Sequence, residues 1–476
     1  MKFNVNIENF GKIQNASITL SNFTVIAGKN GCGKSFVTKA FYSFFNTINK
    51  DHLTKNLLNT IETTRFGVLQ ILLKTNRLNS KEIFLISSMK LSIDECLDFI
   101  NSSFNTHYLS EQFLLKQQLA EKLNKIIDNY KKFEIEIGNK KKKEYFLKEL
   151  GTLNKNIFNL GLLAENPIKN IAKSIAQDLR IELQDNFQVT KLSQLINYNN
   201  KNKFSFSFEK LGTISLQYNE VEKQDKIQFK LDSASIDEFR QLNNIVFLES
   251  PIFWKLRPSL NLFKRNQFIN RSLRSKVSQR ELLGVPKYFF DLSDLLEISY
   301  TSLPIINNFG KISTSLKNAI GGKFDISDSG DIFYKENIYK NSPFSLHLTA
   351  NGITNLGMLS LLLDKGIISD GSYLFIDEPE ANLHPDWQII MLECLLELSK
   401  SNVHVVIATH SIDMIKCIEL LIKRNTNKVS EDHFAINQLS SEGRSINDDE
   451  DIFYKINAIK NDLGKAYVDM FLEENG

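Results

Sequence analysis

Three short runs place reactive side chains at spacings suited to one reaction. Gly28-Lys29-Asn30-Gly31-Cys32-Gly33-Lys34-Ser35 reads G-x-x-x-x-G-K-S. Glycines at those positions let backbone N–H groups turn inward onto an anion, the lysine adds a cation, and the serine hydroxyl can hold Mg2+. Asp377-Glu378-Pro379-Glu380 puts adjacent carboxylates at the end of an apolar run, and Thr409-His410-Ser411 ends another. Combined, they describe the attack of water on a phosphoanhydride. Lys34 reaches the β- and γ-phosphates, Ser35 and Asp377 hold the metal, Glu378 polarises the water, and His410 hydrogen-bonds the terminal phosphate.

These groups need rigid elements to bring them together. Residues 23–27 (Phe-Thr-Val-Ile-Ala) form an apolar, β-branched run that predicts a buried strand, and 36–45 predict a helix starting at Phe36. Strand, glycine loop and helix is the context that a phosphate loop requires. Residues 373–377 predict a strand expected to lie next to the phosphate-loop strand, 387–398 a helix, and 403–408 another buried strand. Residues 244–248 predict a strand that returns the chain to the same sheet before the polar turn at Glu249-Ser250-Pro251. Near the N-terminus Phe3, Val5 and Ile7 alternate with polar residues. Phe10 in the following turn either stacks on a base or packs under the sheet.

Between these parts the pattern changes. Residues 51–239 read as an insertion. Leu115, Leu119, Leu123, Ile126, Tyr130, Phe133 and Ile137 share one helix face, and Phe146, Leu150, Leu153, Ile157 and Leu160 share another. The expectation is a helical hairpin, with Lys140 to Lys143 as either a solvated bend or a basic contact point. Residues 204–231 alternate as a small antiparallel meander, placed at the end of the insertion. Residues 251–280 contain no Asp or Glu but many Lys and Arg, interleaved with Phe253, Trp254, Phe263 and Phe268. Nucleic acid through 255–280, an exposed basic face over buried aromatics, and a dock for an acidic protein all fit this composition. Residues 321–348 read as antiparallel strands. The domain reading is a head from 1–50, 240–254 and 345–476, the insertion at 51–239, and a basic and β accessory region at 255–344.

The composition suits a soluble globular protein, with 42% hydrophobic and 24% charged residues. A formal charge of +3 implies no polyanion partner unless the charge is clustered. The four cysteines form no C-x-x-C pair, which argues against a zinc site or a disulfide framework. The first residues alternate like a strand rather than a signal peptide, and no run is apolar enough to span a membrane. The location expected is the cytoplasm.

The phosphate loop, the large insertion, the segment Thr349-Ala350-Asn351-Gly352, Asp377-Glu-Pro-Glu-Ala-Asn-Leu-His-Pro385 and Ala408-Thr-His-Ser411 together resemble the ABC-type ATPases of the SMC, RecF and OLD group. More narrowly they resemble the stand-alone ATPase subunits of bacterial anti-phage systems such as PARIS, Septu and some retron operons. The resemblance implies an α/β ABC-type head with a helical insertion and a small antiparallel β part. It implies ATP and Mg2+ as ligands, with Gly28, Lys29, Asn30, Gly31, Cys32, Gly33, Lys34, Ser35 and Phe36 around the phosphates. It also implies a homodimer or higher homo-oligomer in which Asn351 and Gly352 face the ATP of a second copy, and a separate effector protein, for which a nuclease is one candidate. A DNA-maintenance ATPase and a nucleotide-gated scaffold are the alternatives. Ala350 stands where the family commonly has serine, which implies slow turnover. No glutamine fills the family's Q-loop position, and no Toprim nuclease is expected after His410.

Overall fold

The computed structural model describes residues 2–50, 52–103, 112–138, 140–165, 167–199, 202–209, 211–219, 224–231, 242–273, 284–298, 309–327, 330–338, 343–425, 429–446 and 451–475. They fall into two compact units, one built from 1–49, 178–232 and 238–476, the other from 50–177 and 233–237.

In chain order the elements begin with β1 (Phe3–Phe10), β2 (Ile13–Leu20), β3 (Phe23–Ala27) and α1 (Lys34–Ile48). Helices α2 (His52–Leu72), α3 (Ser80–Ser103), α4 (Gln112–Glu136), α5 (Lys140–Tyr145), α6 (Leu147–Glu165) and α7 (Pro167–Phe187) follow. Next come β4 (Lys203–Phe208), β5 (Gly212–Asn219), β6 (Gln224–Leu231), β7 (Ile245–Leu248), α8 (Ile252–Leu273), α9 (Lys287–Ile298) and α10 (Gly310–Ile320). Then follow β8 (Gly322–Ile326), β9 (Ile332–Glu336), β10 (Phe344–Ser345), α11 (Asn351–Asp364), β11 (Tyr373–Asp377), α12 (Pro385–Lys400) and β12 (His404–Thr409). The last are α13 (Ile412–Asn425), β13 (Phe434–Leu439), β14 (Ser445–Ile446) and α14 (Ile452–Asn475).

The first unit is organised by a sheet of order β14-β13-β3-β12-β11-β7, parallel except for β14. Strands β3, β7, β11 and β12 are buried throughout, which is why they read as unbroken apolar runs. In one respect the sheet departs from the sequence reading. The acid strand β11 is not beside the phosphate-loop strand β3, because β12 lies between them and pairs with both. The segment after His410 adds a strand as well as helices, since β13 pairs with β3 on its other side.

A second sheet, antiparallel with order β2-β1-β4-β5-β6, belongs to the same unit. The meander placed at the end of the insertion is thus part of the head, because β4 pairs with β1, Val5 opposite Phe208. Helix α1 lies between the two sheets. Phe44 stacks on Phe208 at 3.8 Å on one side, and Phe45 stacks on Tyr373 at 4.6 Å on the other. Phe10 is fully buried against Phe36, Phe187, Phe204 and Phe206, so it packs under the sheet and offers no face to a base. The alternation over 321–348 becomes the small sheet β10-β9-β8.

The second unit is a helical bundle, not a lone hairpin. Helices α2, α3, α4 and α6 are neighbours in a ring, α2 against α3 and α6, α4 against α3 and α6. Ile61, Val68, Met89, Ile126, Phe133 and Leu153 lie in its single core. The side chain of Leu115 lies outside the described residues. Asn79 and Glu82 cap α3 reciprocally, each side chain accepting the other's backbone N–H at 2.8 and 2.7 Å. Lys142 does not lie free at a basic bend, because it sits in α5 and its ammonium is 2.8 Å from the buried Glu82. Phe133→Ala is expected to destabilise this bundle by about 3–5 kcal/mol, read as a shifted denaturation midpoint with Glu8→Ala on the exposed face of β1 as a neutral control.

Candidate functional site

The site lies at the carboxyl ends of β3, β12, β11 and β7, the edge where parallel α/β sheets bind ligands. Register fixes this alignment. Ala27 is opposite Thr409, Asp377 opposite Ala408, and Leu248 opposite Ile376. The next residues out of each strand are therefore Gly28, His410, Glu378 and Glu249, all at one edge.

The loop after β3 has the conformation that its glycines allow. Gly31 and Gly33 have φ of 75° and 107°. A Cβ on Gly33 would come within 2.7 Å of Ile13 Cδ1. The first backbone hydrogen bond of α1 runs from Val37 to Gly33 at 3.1 Å. The N–H groups of Lys34, Ser35 and Phe36 therefore have no acceptor in the helix, and the positive end of its dipole faces the loop. The ring of Phe36 turns away, packing on Phe10 and Phe187, and leaves its N–H at the loop.

The Lys34 side chain is only 5% exposed and bends back over the loop. Its ammonium donates to the carbonyls of Gly28 at 2.8 Å and Lys29 at 3.0 Å. Lys29 points the other way, its ammonium 2.8 Å from Asp462 of α14. Asn30 and Gly31 are exposed, whereas Cys32 is buried, and burial pushes its thiol pKa up. Cys32 is thus a neutral packing residue.

Asp377 is 8% exposed. Burial raises its carboxyl to about 6, a hydrogen bond with Ser35 acts in the opposite direction, and the negative charge of Glu249 raises it further. Oδ1 of Asp377 is buried with no hydrogen-bond partner among the described residues. Oε2 of Glu380 is in the same condition, while its Oε1 accepts from the Thr409 hydroxyl at 2.6 Å. Buried acidic oxygens without donors are costly unless a cation or donor completes them. The glycine cradle, the N–H groups without a helical acceptor and these oxygens suit a phosphate with its divalent cation.

Glu378 leaves β11 with a φ of 53°, a left-handed conformation uncommon for a side-chain-bearing residue, stabilised by its N–H bond to the Ala408 carbonyl at 2.9 Å. This turn brings its carboxylate 3.0 Å from Nδ1 of His410. Nδ1 of His410 is buried without a hydrogen-bond partner among the described residues, so the contact is one of proximity. The structure thus gathers Ser35, Asp377, Glu378 and His410. Asn351 and Gly352 open α11. Gly352 packs on the segment after β11, where a Cβ would meet the Asn382 carbonyl at 2.6 Å and the Trp387 ring at 3.3 Å.

Two residues at this edge have no counterpart in the motif reading. Glu249 follows β7, and Lys39 lies one turn beyond Ser35 on α1, with its ammonium 2.9 Å from Glu249 Oε1. A carboxylate directly after a buried apolar strand, the pattern also seen at Glu378, was the signal for Glu249. Of the basic run after it, the structure describes the side chains of Lys255 and Arg257. Among the described side chains, Lys255 donates to the Thr349 carbonyl at 2.7 Å, and the buried Arg257 donates to Ser293 at 2.8 Å and to the Gly330 carbonyl at 2.7 Å. Phe253 and Trp254 pack on Phe289. The side chains of Lys264, Arg265, Arg271, Arg274, Lys276 and Arg280 lie outside the described residues. Among the described residues no helix is long and apolar enough to cross a membrane.

No curated protein matches this chain. Among solved structures, it is similar to an Smc head bound to the C-winged helix domain of ScpA, at 11% identity and a TM-score of 0.38, covering 93% of this chain and 96% of that one. It is similar also to an Smc head with an extended coiled coil bound to the C-terminal domain of ScpA, derived from Pyrococcus furiosus, at 12% identity and 0.39, covering 93% and 94%. The SMC head domain from Thermotoga maritima matches at 10% identity and 0.33, covering 88% and 92%. Likeness at these scores carries no functional argument. The family model described as AAA ATPase domain matches residues 1–415. With that match spanning most of the 476 residues, the chain belongs to the AAA ATPase domain family.

Proposed function

We propose that the protein is an ABC-type ATPase that binds ATP with Mg2+, hydrolyses it slowly, and uses its nucleotide state to control the assembly of heads. The observation that supports this most is the convergence of Ser35, Asp377, Glu378 and His410 on one sheet edge beside the glycine loop. In this reading Lys34 exchanges its carbonyl acceptors for phosphate oxygens, and the N–H groups of 33–36 surround the same phosphate. Ser35 and Asp377 hold the cation, which neutralises charge on the transferred phosphoryl group. Glu378 accepts the proton of the attacking water, and His410 contacts the terminal phosphate.

Burial of Asp377 gives this reading a pH signature. A cation must displace the proton held up to about 6. Mg2+ affinity is therefore expected to be flat above about pH 7 and to fall by about tenfold per unit below about 6, measured by calorimetry with a non-hydrolysable ATP analogue. For the metal-free chain the sign differs. The raised pKa means that ionising Asp377 costs stability as pH rises from 3.8 towards about 6.

The N-terminus of α11 is the surface proposed to complete the site of a second head, through Asn351 and Gly352. At the neighbouring Thr349 the hydroxyl donates to the Leu346 carbonyl at 2.7 Å and lies 3.1 Å from Thr354 Oγ1, which speaks against its standing in for the serine missing at Ala350. Fewer donors across the interface favour a switch over a fast motor. The motif resemblance extends this to a sensor or regulatory subunit of a bacterial anti-phage system that acts through a separate effector. Native mass spectrometry with and without the ATP analogue tests the assembly. A nucleotide-dependent step from one chain to two or more is expected. An unchanged mass, with analogue bound, overturns it.

A further inference from the structure

Glu249 and its partners are not used by the hydrolytic reading. Strands β7 and β11 are parallel neighbours with Leu248 opposite Ile376, so Glu249 and Asp377 emerge side by side. Two carboxylates so placed repel, and Glu249 contributes to the raised proton affinity of Asp377. A protein places them so only where positive charge compensates. Part of that charge is Lys39, 2.9 Å from Glu249 Oε1. It leaves Asp377 Oδ1 buried without a hydrogen-bond partner among the described residues.

Glu249, by contrast, is held at both oxygens, since the Tyr288 hydroxyl donates to Oε2. Tyr288 is itself fixed. It is 2% exposed, with its ring 4.5 Å from that of Phe247 and 5.9 Å from that of Tyr42. Its backbone N–H donates to Asn186 Oδ1 at 2.9 Å, and Asn186 donates to Ser43 of α1 at 2.8 Å. The Lys39 ammonium lies 5.6 Å over the same ring. A tyrosine so confined sets the orientation of whatever its hydroxyl binds.

We propose that Glu249 is a second acidic residue on the metal-binding face beside Asp377, and that Tyr288 is the positioning residue that aims it there. Mg2+ sites commonly combine one or two carboxylates with substrate phosphates and water, which leaves room for this pair. The proposal rests on the Mg2+-ATP reading. A simple staple between α1 and β7 would show the same contacts but would not alter metal affinity.

Mn2+ titrated into protein saturated with a non-hydrolysable ATP analogue, with free Mn2+ read by electron paramagnetic resonance, separates these cases. Tyr288→Phe keeps the ring and removes only the hydroxyl. It is expected to weaken Mn2+ binding by about tenfold, and Glu249→Gln by at least as much, with metal-free binding of the analogue unchanged. If Asp377→Asn weakens Mn2+ while both of these variants match wild type, Glu249 is a staple and the proposal falls. If Glu249→Gln weakens it and Tyr288→Phe does not, the positioning role of Tyr288 is overturned. If neither Asp377→Asn nor Ser35→Ala has an effect, the metal reading itself is wrong, and the proposal falls with it.

Discussion

Glu378→Gln is expected to lower ATP turnover by about 10²–10⁴-fold while ATP stays bound. Glutamine matches glutamate in shape and can adopt the same left-handed backbone, where φ is 53° and the N–H bond to Ala408 is independent of the side chain. It can still approach His410, 3.0 Å away in the parent. What it loses is the capacity to accept a proton. The neighbouring acid is a poor substitute, because the Glu380 side chain is 9% exposed and its Oε1 accepts from the Thr409 hydroxyl at 2.6 Å. Turnover measured beside retention of labelled ATP through gel filtration checks both halves. Unchanged turnover would remove Glu378 from its proposed role.

Lys34→Ala is expected to weaken ATP binding by about 10²–10⁴-fold, the equivalent of two charge-assisted hydrogen bonds at roughly 1.5–3 kcal/mol each. Its ammonium already donates to two carbonyl oxygens in the loop, those of Gly28 and Lys29, besides a longer contact with Cys32 Sγ. The helix itself should persist, since alanine is favourable at a first turn and the bond from Val37 to Gly33 is backbone only. Calorimetry with ATP, alongside an unchanged far-ultraviolet spectrum, is the check. Wild-type affinity in this variant would mean that the loop binds phosphate through its backbone alone.

The motifs were legible because each is local. A glycine loop, an acidic strand end and a histidine strand end are each encoded in a few consecutive residues, and parallel strands must bring such ends to one edge. Long-range pairing was not legible. Nothing near Phe204, Phe206 and Phe208 says that their strand will pair with β1, so the meander read as part of the insertion. Likewise no local signal says that β12 will separate β3 from β11. The stripe through Phe133 and Ile137 correctly signalled a packed helix, but a stripe does not count its partners, and α2 and α3 complete the bundle. At the start of the basic run, composition does not say how the charge is used. Lys255 and Arg257 are tied to backbone carbonyls within the unit, a use of charge that sequence does not distinguish from an exposed one.

The place of β3 in its sheet has a consequence for the order in which the protein is made. Phe23 pairs with Val405 on one side and Phe434 on the other. A ribosome adding about 5–20 residues per second would need roughly 20–80 s to supply the first of those neighbours. Until then a strand of five buried residues has no lateral partner in its sheet, while the unit of the helical bundle, 50–177 and 233–237, is already complete in sequence. The phosphate loop is therefore among the earliest segments translated and among the last to acquire its shape. A nascent chain stalled before residue 404 should show a protease-resistant bundle and no retention on immobilised ATP.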